Sequence, residues 1–272
     1  MVKIKIITCI KQVPGTTDIQ VDPDTNTLVR EGIESIINPF DSYAVEEAIS
    51  LKERLVEQGM PEDEIETIAL SMGPPQATEI LREAISLGID NAILLSDRAF
   101  AGSDTWATAY TLSRAIKKIG DHRIIIFGKQ TMDGDTGQVG PEVSHILNIP
   151  FVGYASDVKK ISKNSIDIKR LTDQRYETFN MKLPIAFSVG KDINVPRIAS
   201  LRGKLKAKKA EIPIWDNSVL SLDQDDLGLN GSYTKVIKIF SPDIKHEVKI
   251  IEGSSQEQVE GLYKALKEIS VV

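Results

Sequence analysis

Near-continuous apolar runs alternate with amphipathic stretches over the first 150 residues. Residues 4–10, 65–72, 92–95 and 123–127 are short runs dominated by Ile, Leu and Ala. Their length suits buried strands rather than helices. Between them, Ala44, Val45, Ala48, Ile49, Leu51 and Leu55 recur with a 3.6-residue period. Residues 76–87 and 104–119 show the same amphipathic pattern and stop at Gly88 and Gly120. Pro14-Gly15 and Gly73-Pro74-Pro75 close two of the strands. Strands covered by helices on both faces lose the in–out alternation of a half-exposed sheet. The pattern therefore predicts an α/β fold, a doubly wound, mostly parallel sheet over roughly residues 1–150. Asp22-Pro23-Asp24-Thr25-Asn26 places a turn, and with it a hairpin, within residues 16–35.

After Pro150 the pattern changes. Residues 151–161, 165–171 and 176–183 read as a small β-meander with polar turns at Lys163-Asn164 and Asp173-Gln174, and 185–189 as a further strand. Residues 212–243 hold few regular elements and are rich in Asp and Gly, which predicts an extended C-terminal arm. Residues 255–269 form a closing amphipathic helix. The division that follows is a body over 1–212 and an arm with its helix over 213–272. Two readings of the arm stand: a surface tail, or a segment that docks on a partner.

The stretch richest in chemistry is 123–150. An apolar strand runs into a turn from Gly128 to Gly137, and a helix with Val139, Val143, Ile146 and Leu147 on one face follows. Gly134, Gly137 and Gly140 let a ligand approach the backbone closely. Asp133, Asp135, Thr136 and Gln138 could hold a ribose or a base edge. The same string also fits a plain capped turn. It is neither a GxGxxG fingerprint nor a Walker A loop. On a parallel sheet, ligands bind beyond the carboxyl ends of the strands, which brings Cys9-Ile10-Lys11, Ser71-Met72-Gly73 and Gly128 onward together. Asp41 has two readings, an N-cap of the helix after Pro39 or a polar contact to that ligand. The basic run Arg202, Lys204, Lys206, Lys208 and Lys209 is either a solvated face or a docking site for an acidic protein, with Leu201 as an apolar anchor.

Composition narrows the field. The chain has 272 residues and a net charge of -6, so it lacks the basic footprint of a nucleic-acid binder. No long apolar run and no leader pattern is present, which predicts a cytoplasmic protein without membrane insertion. Cys9 is the only cysteine, and the three histidines are far apart, so neither an iron–sulfur cluster nor a metal site is expected. Redox chemistry here needs an organic cofactor.

Three segments together resemble the β subunit of electron-transfer flavoproteins. They are Asn38-Pro39-Phe40 leading into Ala44-Val45-Glu46-Glu47-Ala48, Gly128-Lys129-Gln130 with residues 133–140, and Asn194-Val195-Pro196-Arg197 through Leu201 to Lys209. Lys11-Gln12-Val13-Pro14 and Ser71-Met72-Gly73-Pro74 also fit. The resemblance implies a heterodimer with an α subunit that carries FAD. It implies a pocket lined by Cys9, Asn38, Pro39, Phe40, Asp41, Met72, Gly128, Lys129, Gln130, Thr131, Met132, Asp133, Gly134, Asp135, Thr136, Gly137, Gln138 and Val139. That pocket holds AMP in non-bifurcating members and the adenosine end of a second FAD in bifurcating ones. Leu201 and Arg197 match the loop that docks a partner dehydrogenase, and the arm matches the segment that wraps the α subunit. Asp-Gly-Asp-Thr-Gly-Gln-Val at 133–139 and Leu227-Gly228-Leu229-Asn230-Gly231-Ser232 look like the bifurcating members. The implied chemistry is hydride transfer from NADH, with one electron passing to the α-subunit FAD and one to ferredoxin. Hydride transfer to a flavin needs no general acid or base. An acyl-CoA dehydrogenase, an enoyl-CoA reductase and a flavin-dependent lactate dehydrogenase all suit the acceptor role. An adenylating enzyme would need a Ser-Gly-Gly-x-Asp-Ser loop where this chain has Lys11-Gln12-Val13-Pro14-Gly15.

Overall fold

The computed structural model describes residues 4–15, 35–237, 248 and 250–269. The expected hairpin within 16–35 lies almost wholly outside the described residues. In chain order the strands are β1 (Ile4–Cys9), β2 (Gln12–Pro14), β3 (Ser35–Ile37), β4 (Ile65–Met72), β5 (Asn91–Leu95), β6 (His122–Gly128), β7 (Phe151–Ile161), β8 (Ser165–Leu171), β9 (Tyr176–Lys182), β10 (Ile185–Val189) and β11 (Ile214–Trp215). The helices are α1 (Pro39–Glu57), α2 (Thr78–Leu87), α3 (Thr105–Ile119), α4 (Val139–Leu147), α5 (Leu201–Lys209), α6 (Asn217–Leu220) and α7 (Ser255–Glu268).

One nine-stranded sheet runs β11-β5-β4-β1-β6-β10-β7-β8-β9, and β2 pairs with β3 in a separate antiparallel ribbon. The sheet is parallel from β11 to β7 and antiparallel through β8 and β9. Side chains alternate between two cores. Ile4, Ile6, Ile124 and Ile126 pack with α1 and α2 on one face. Ile7, Cys9, Ile125 and Phe127 pack with α3 and α4 on the other. Each fully buried Ile or Leu contributes roughly 1.5–3 kcal/mol relative to exposure, so burial on both faces is what selected the apolar runs.

The meander is not a separate layer. β10 enters between β6 and β7, parallel to both. Lys182 lies opposite Ser165 and Ala186 lies opposite Phe151. Four residues reach about 14 Å at most, whereas the 11 residues of β7 would span about 36 Å if straight. The outer ribbon therefore curls back, helped by register shifts in β7 and by Tyr154 at φ 60°. Val158, Ile161, Ile166 and Ile168 thereby join the core under α1.

The basic run forms α5, an expectation the polar composition did not give. Ser200 caps it by accepting the Gly203 N–H at 3.0 Å. Gly203 sits against the Ser86 carbonyl with no room for a Cβ. Arg82 donates to the Ala207 and Ala210 carbonyls at 2.7 and 3.0 Å, which holds α5 against α2. β11 then pairs with β5 at the far edge of the sheet. The chain therefore stays on the body well past residue 212.

Candidate functional site

The sheet reverses direction of growth at β1. From β1 the chain adds β4 and β5 on one side, then returns to place β6 on the other. The carboxyl ends of β1 and β6 thus border the crevice where such sheets bind ligands. Pro39 is the first residue of α1 there, and its missing N–H and fixed φ suit that position. The helix starts ahead of Asp41, so Asp41 is not an N-cap. Its carboxylate instead accepts the Lys11 N–H at 2.7 Å and also the Gly128 N–H. One buried side chain ties the ends of β1 and β6 to the first turn of α1. Burial pushes its pKa up to about 7, against the pull of the Lys11 and Gly128 amides and the Asn38 side chain.

Gly128 makes this closeness possible. A Cβ at that position would overlap the Asp41 carboxylate and lie 2.8 Å from the Phe40 carbonyl carbon and 2.9 Å from the Asp41 nitrogen. Asn38 does the corresponding work for the loop after β6. It is fully buried, donates to the Gln130 carbonyl at 2.8 Å and accepts the Met132 N–H at 3.1 Å. Its own N–H donates to the Lys11 carbonyl at 2.9 Å. Lys129 Nζ lies 5.4 Å from the centre of the Phe40 ring, within cation–π range.

The loop carboxylates are already matched. Lys11 Nζ reaches across the crevice to both oxygens of Asp133 at 2.8 Å. Burial alone would raise the Asp133 pKa, but the Lys11 hydrogen bond and charge hold it below the usual carboxylate range. Gln130 donates to Asp135. Gly137 adopts φ +63°, and a Cβ there would press the Lys129 carbonyl at 3.0 Å. Gly134 would meet only the Thr131 hydroxyl, at 3.1 Å. The loop then feeds α4, whose first amides have no acceptor within the helix. Lys11 balances the charge of Asp133, whereas Gln130 only hydrogen-bonds Asp135, and beside them the first amides and the dipole of α4 suit a phosphate.

Most of the expected pocket residues therefore converge, with three distinctions. Cys9 turns its side chain into the core, where burial and then Asp41 push the thiol pKa upward. Met72 ends β4 half-buried, packed on the same core. Gln138 lies beside Thr105 of α3, 3.5 Å between their side-chain oxygens. Leu201 and Arg197 lie away from the crevice. Leu201 is 76% exposed at the start of α5, and Arg197 is bound to α1. Lys11 is the site residue that sequence reasoning had placed nearby without a role. Its position just past a strand end was the available signal.

Comparison with known proteins fits this geometry. Residues 25–220 match the model of the electron transfer flavoprotein domain. The chain is 40% identical over 270 residues to the caffeyl-CoA reductase-Etf complex subunit CarD of Acetobacterium woodii, covering 99% of this chain and 100% of that protein. It is 41% identical over 245 residues to the electron transfer flavoprotein subunit beta of Megasphaera elsdenii, covering 88% of each. The corresponding subunit of Thermoanaerobacterium thermosaccharolyticum is 41% identical over 270 residues, covering 99% of this chain and 100% of that one. Among the described residues no helix is long and apolar enough to cross a membrane. A parallel sheet with a crevice at its switch point and relatives matched end to end lead to one assignment: the chain belongs to the electron transfer flavoprotein family, as a β subunit that pairs with an α subunit.

Proposed function

We propose that the crevice holds the adenosine diphosphate end of a second FAD and that the subunit works in electron bifurcation. The observation that carries this reading is the loop itself: Lys11 offsets the charge of Asp133 and Gln130 hydrogen-bonds Asp135, beside glycines at 134 and 137. The diphosphate of FAD spreads its charge over two phosphates, so it needs backbone donors along a longer stretch than a monophosphate does, and glycines at 134 and 137 let the backbone approach both. Asn38 and Asp41 fix the loop and the strand ends to α1, Gly137 lets the backbone turn, and the first turn of α4 supplies donors. A flavin held there would supply hydride acceptance from NADH and one-electron transfer to the α-subunit FAD and to ferredoxin. This chain contributes binding and orientation. The apolar positions at 195, 198 and 201 dock the flavin dehydrogenase that receives electrons from the α-subunit FAD. CarD is named as a subunit of a caffeyl-CoA reductase-Etf complex, which favours a reductase of enoyl-CoA type among the acceptors.

The test is a cofactor count on the purified, denatured α/β heterodimer. Two FAD and no AMP per heterodimer is the expected result. One FAD and one AMP would make the crevice a structural AMP site and leave a one-flavin shuttle.

A further inference from the structure

We propose that Arg197 is a positioning residue that holds residues 194–200 in their docking shape before a dehydrogenase arrives. This rests on the reading of that segment as the dehydrogenase contact. The segment carries a three-residue repeat. Asn194, Arg197 and Ser200 are anchored to the chain, while Val195, Ile198 and Leu201 are 87%, 93% and 76% exposed. Three residues per turn is the period of an extended polyproline-type strand, and Pro196 and Ser200 (φ -73°, ψ 159°) fit it. Such a strand makes no hydrogen bonds of its own. Its shape has to be imposed from outside.

Each anchor has a named partner. Asn194 donates to the Tyr43 carbonyl at 3.1 Å and to the buried Glu47 carboxylate at 3.0 Å. Ser200 caps α5. Arg197 is the centre. Its N–H and Nε donate to Glu46 Oε2 at 3.0 and 2.9 Å, and Nη2 donates to Glu46 Oε1 at 3.0 Å. Nη1 and Nη2 also donate to the two oxygens of Glu53 at 2.7 and 2.9 Å. Glu46 and Glu53 are two turns apart on one face of α1, and the planar guanidinium spans them as a fork. The Glu46 carboxylate is 12% exposed and that of Glu53 is 53% exposed. Glu46 therefore holds most of the bridge, and solvent weakens the Glu53 side. An arginine with four of its five guanidinium N–H groups on α1 carboxylates has little left to offer a partner. It orients Val195, Ile198 and Leu201 as a preformed apolar ridge.

Preformation has a measurable consequence. The apparent dissociation constant equals the intrinsic one divided by the competent fraction, so a segment competent only ~10–20% of the time binds ~5–10-fold more weakly. The experiment uses the FAD-loaded α/β heterodimer and a purified acyl-CoA dehydrogenase, enoyl-CoA reductase and flavin-dependent lactate dehydrogenase as probes. Hydrogen exchange of residues 194–200 is read in the free heterodimer, and KM and kcat are read with each dehydrogenase that the wild type serves. For Arg197→Gln the expected result is faster exchange in 194–200, KM raised about 5–10-fold and kcat at saturation unchanged. Arg197→Lys should not restore KM, because an ammonium cannot fork between two carboxylates. Unchanged exchange in Arg197→Gln overturns the proposal, as does full recovery by lysine. If Leu201→Ala raises KM and Arg197→Gln does not, docking stands and positioning fails. If Leu201→Ala leaves KM unchanged, the docking reading itself fails and the proposal goes with it.

Discussion

The crevice at β1 and β6 and two outer segments, 194–201 held on α1 and α2 and 233–237 leaving from α3, follow opposite rules. In the crevice, polar side chains are buried and matched. Asn38 and Asp41 are 0% and 4% exposed; the Asn38 side chain bonds two backbone groups of the loop after β6, and Asp41 bonds the amides of Lys11 and Gly128. On the two outer segments, large apolar side chains face outward: Val195, Ile198 and Leu201 on one, Tyr233, Val236 and Ile237 on the other. A buried polar group without a partner loses roughly 1–3 kcal/mol, so the fold must supply its partner within the chain. An exposed run of apolar side chains marks a surface that another protein completes. The difference teaches that the crevice has its internal polar ties within this chain, while the outer apolar side chains have no cover within the described residues.

The harshest way to break the comparison is Gly128→Val. The new side chain would occupy the space of the Asp41 carboxylate and the Phe40 carbonyl carbon. Overpacking costs about 1–3 kcal/mol, and losing the buried hydrogen bonds of Asp41 adds to it. The expected outcome is a heterodimer that fails to assemble, read by gel filtration of the co-expressed subunits. Recovery of a stable heterodimer with its full nucleotide content would show that the crevice tolerates disorder and is not fixed within the chain.

A gentler probe is pH. The folded pKa of Asp41 is about 7, above the unfolded value of about 3.9. Between those values the folded state holds the extra proton, so the stabilisation linked to Asp41 is full below about pH 4 and is lost as pH rises through 7. The gap between the folded and unfolded values sets an upper bound of about 4 kcal/mol on that loss. Asp41→Asn keeps an acceptor for Lys11 and does not titrate. Urea unfolding of the heterodimer at pH 5 and pH 8 should therefore show wild-type stability falling relative to Asp41→Asn. Parallel curves would mean that the two amides, not burial, govern this carboxylate.

The two regions also differed in how readable they were. The strands and helices around the crevice announced themselves through apolar runs, 3.6-residue periods and glycine stops, because burial on both faces dictates composition. Pro39 signalled the true start of α1, and with it the displacement of Asp41 from a capping role to a tie between strands. The insertion of β10 between β6 and β7 was hidden, because strand order depends on long-range pairing that no local pattern encodes. So was α5, which buries only Ala207 and is fixed by the approach of Gly203 to Ser86 rather than by an apolar stripe. The partnership of Arg197 with Glu46 and Glu53 joins residues some 150 positions apart. Spacing on α1 put the two carboxylates on one face but could not say what crossed them.

The smallest expected effect lies where the two regions meet. Asp104 caps α3 by accepting the Ala107 N–H at 3.0 Å, and its other oxygen accepts the Thr234 N–H at 2.9 Å and hydroxyl at 3.1 Å. Its own N–H donates to Ser232 at 2.8 Å. Upstream, Leu227 is buried and Gly228 adopts φ +54° against the Ala99 carbonyl. The arm thus leaves the body from a clasp on α3, just before its side chains turn outward. Asp104→Ala removes the cap at a cost of about 1 kcal/mol and unties residues 232–234. With the arm as the proposed α-subunit contact, the expected outcome is faster hydrogen exchange in 232–236 and a heterodimer dissociation constant raised up to about tenfold, the ratio that about 1.4 kcal/mol supports. Nucleotide content should stay at the wild-type value, because Asp104 touches none of Asn38, Asp41 or Lys11. A loss of nucleotide without a change in α-subunit affinity would place the clasp on the cradle side and redraw the boundary between the two regions.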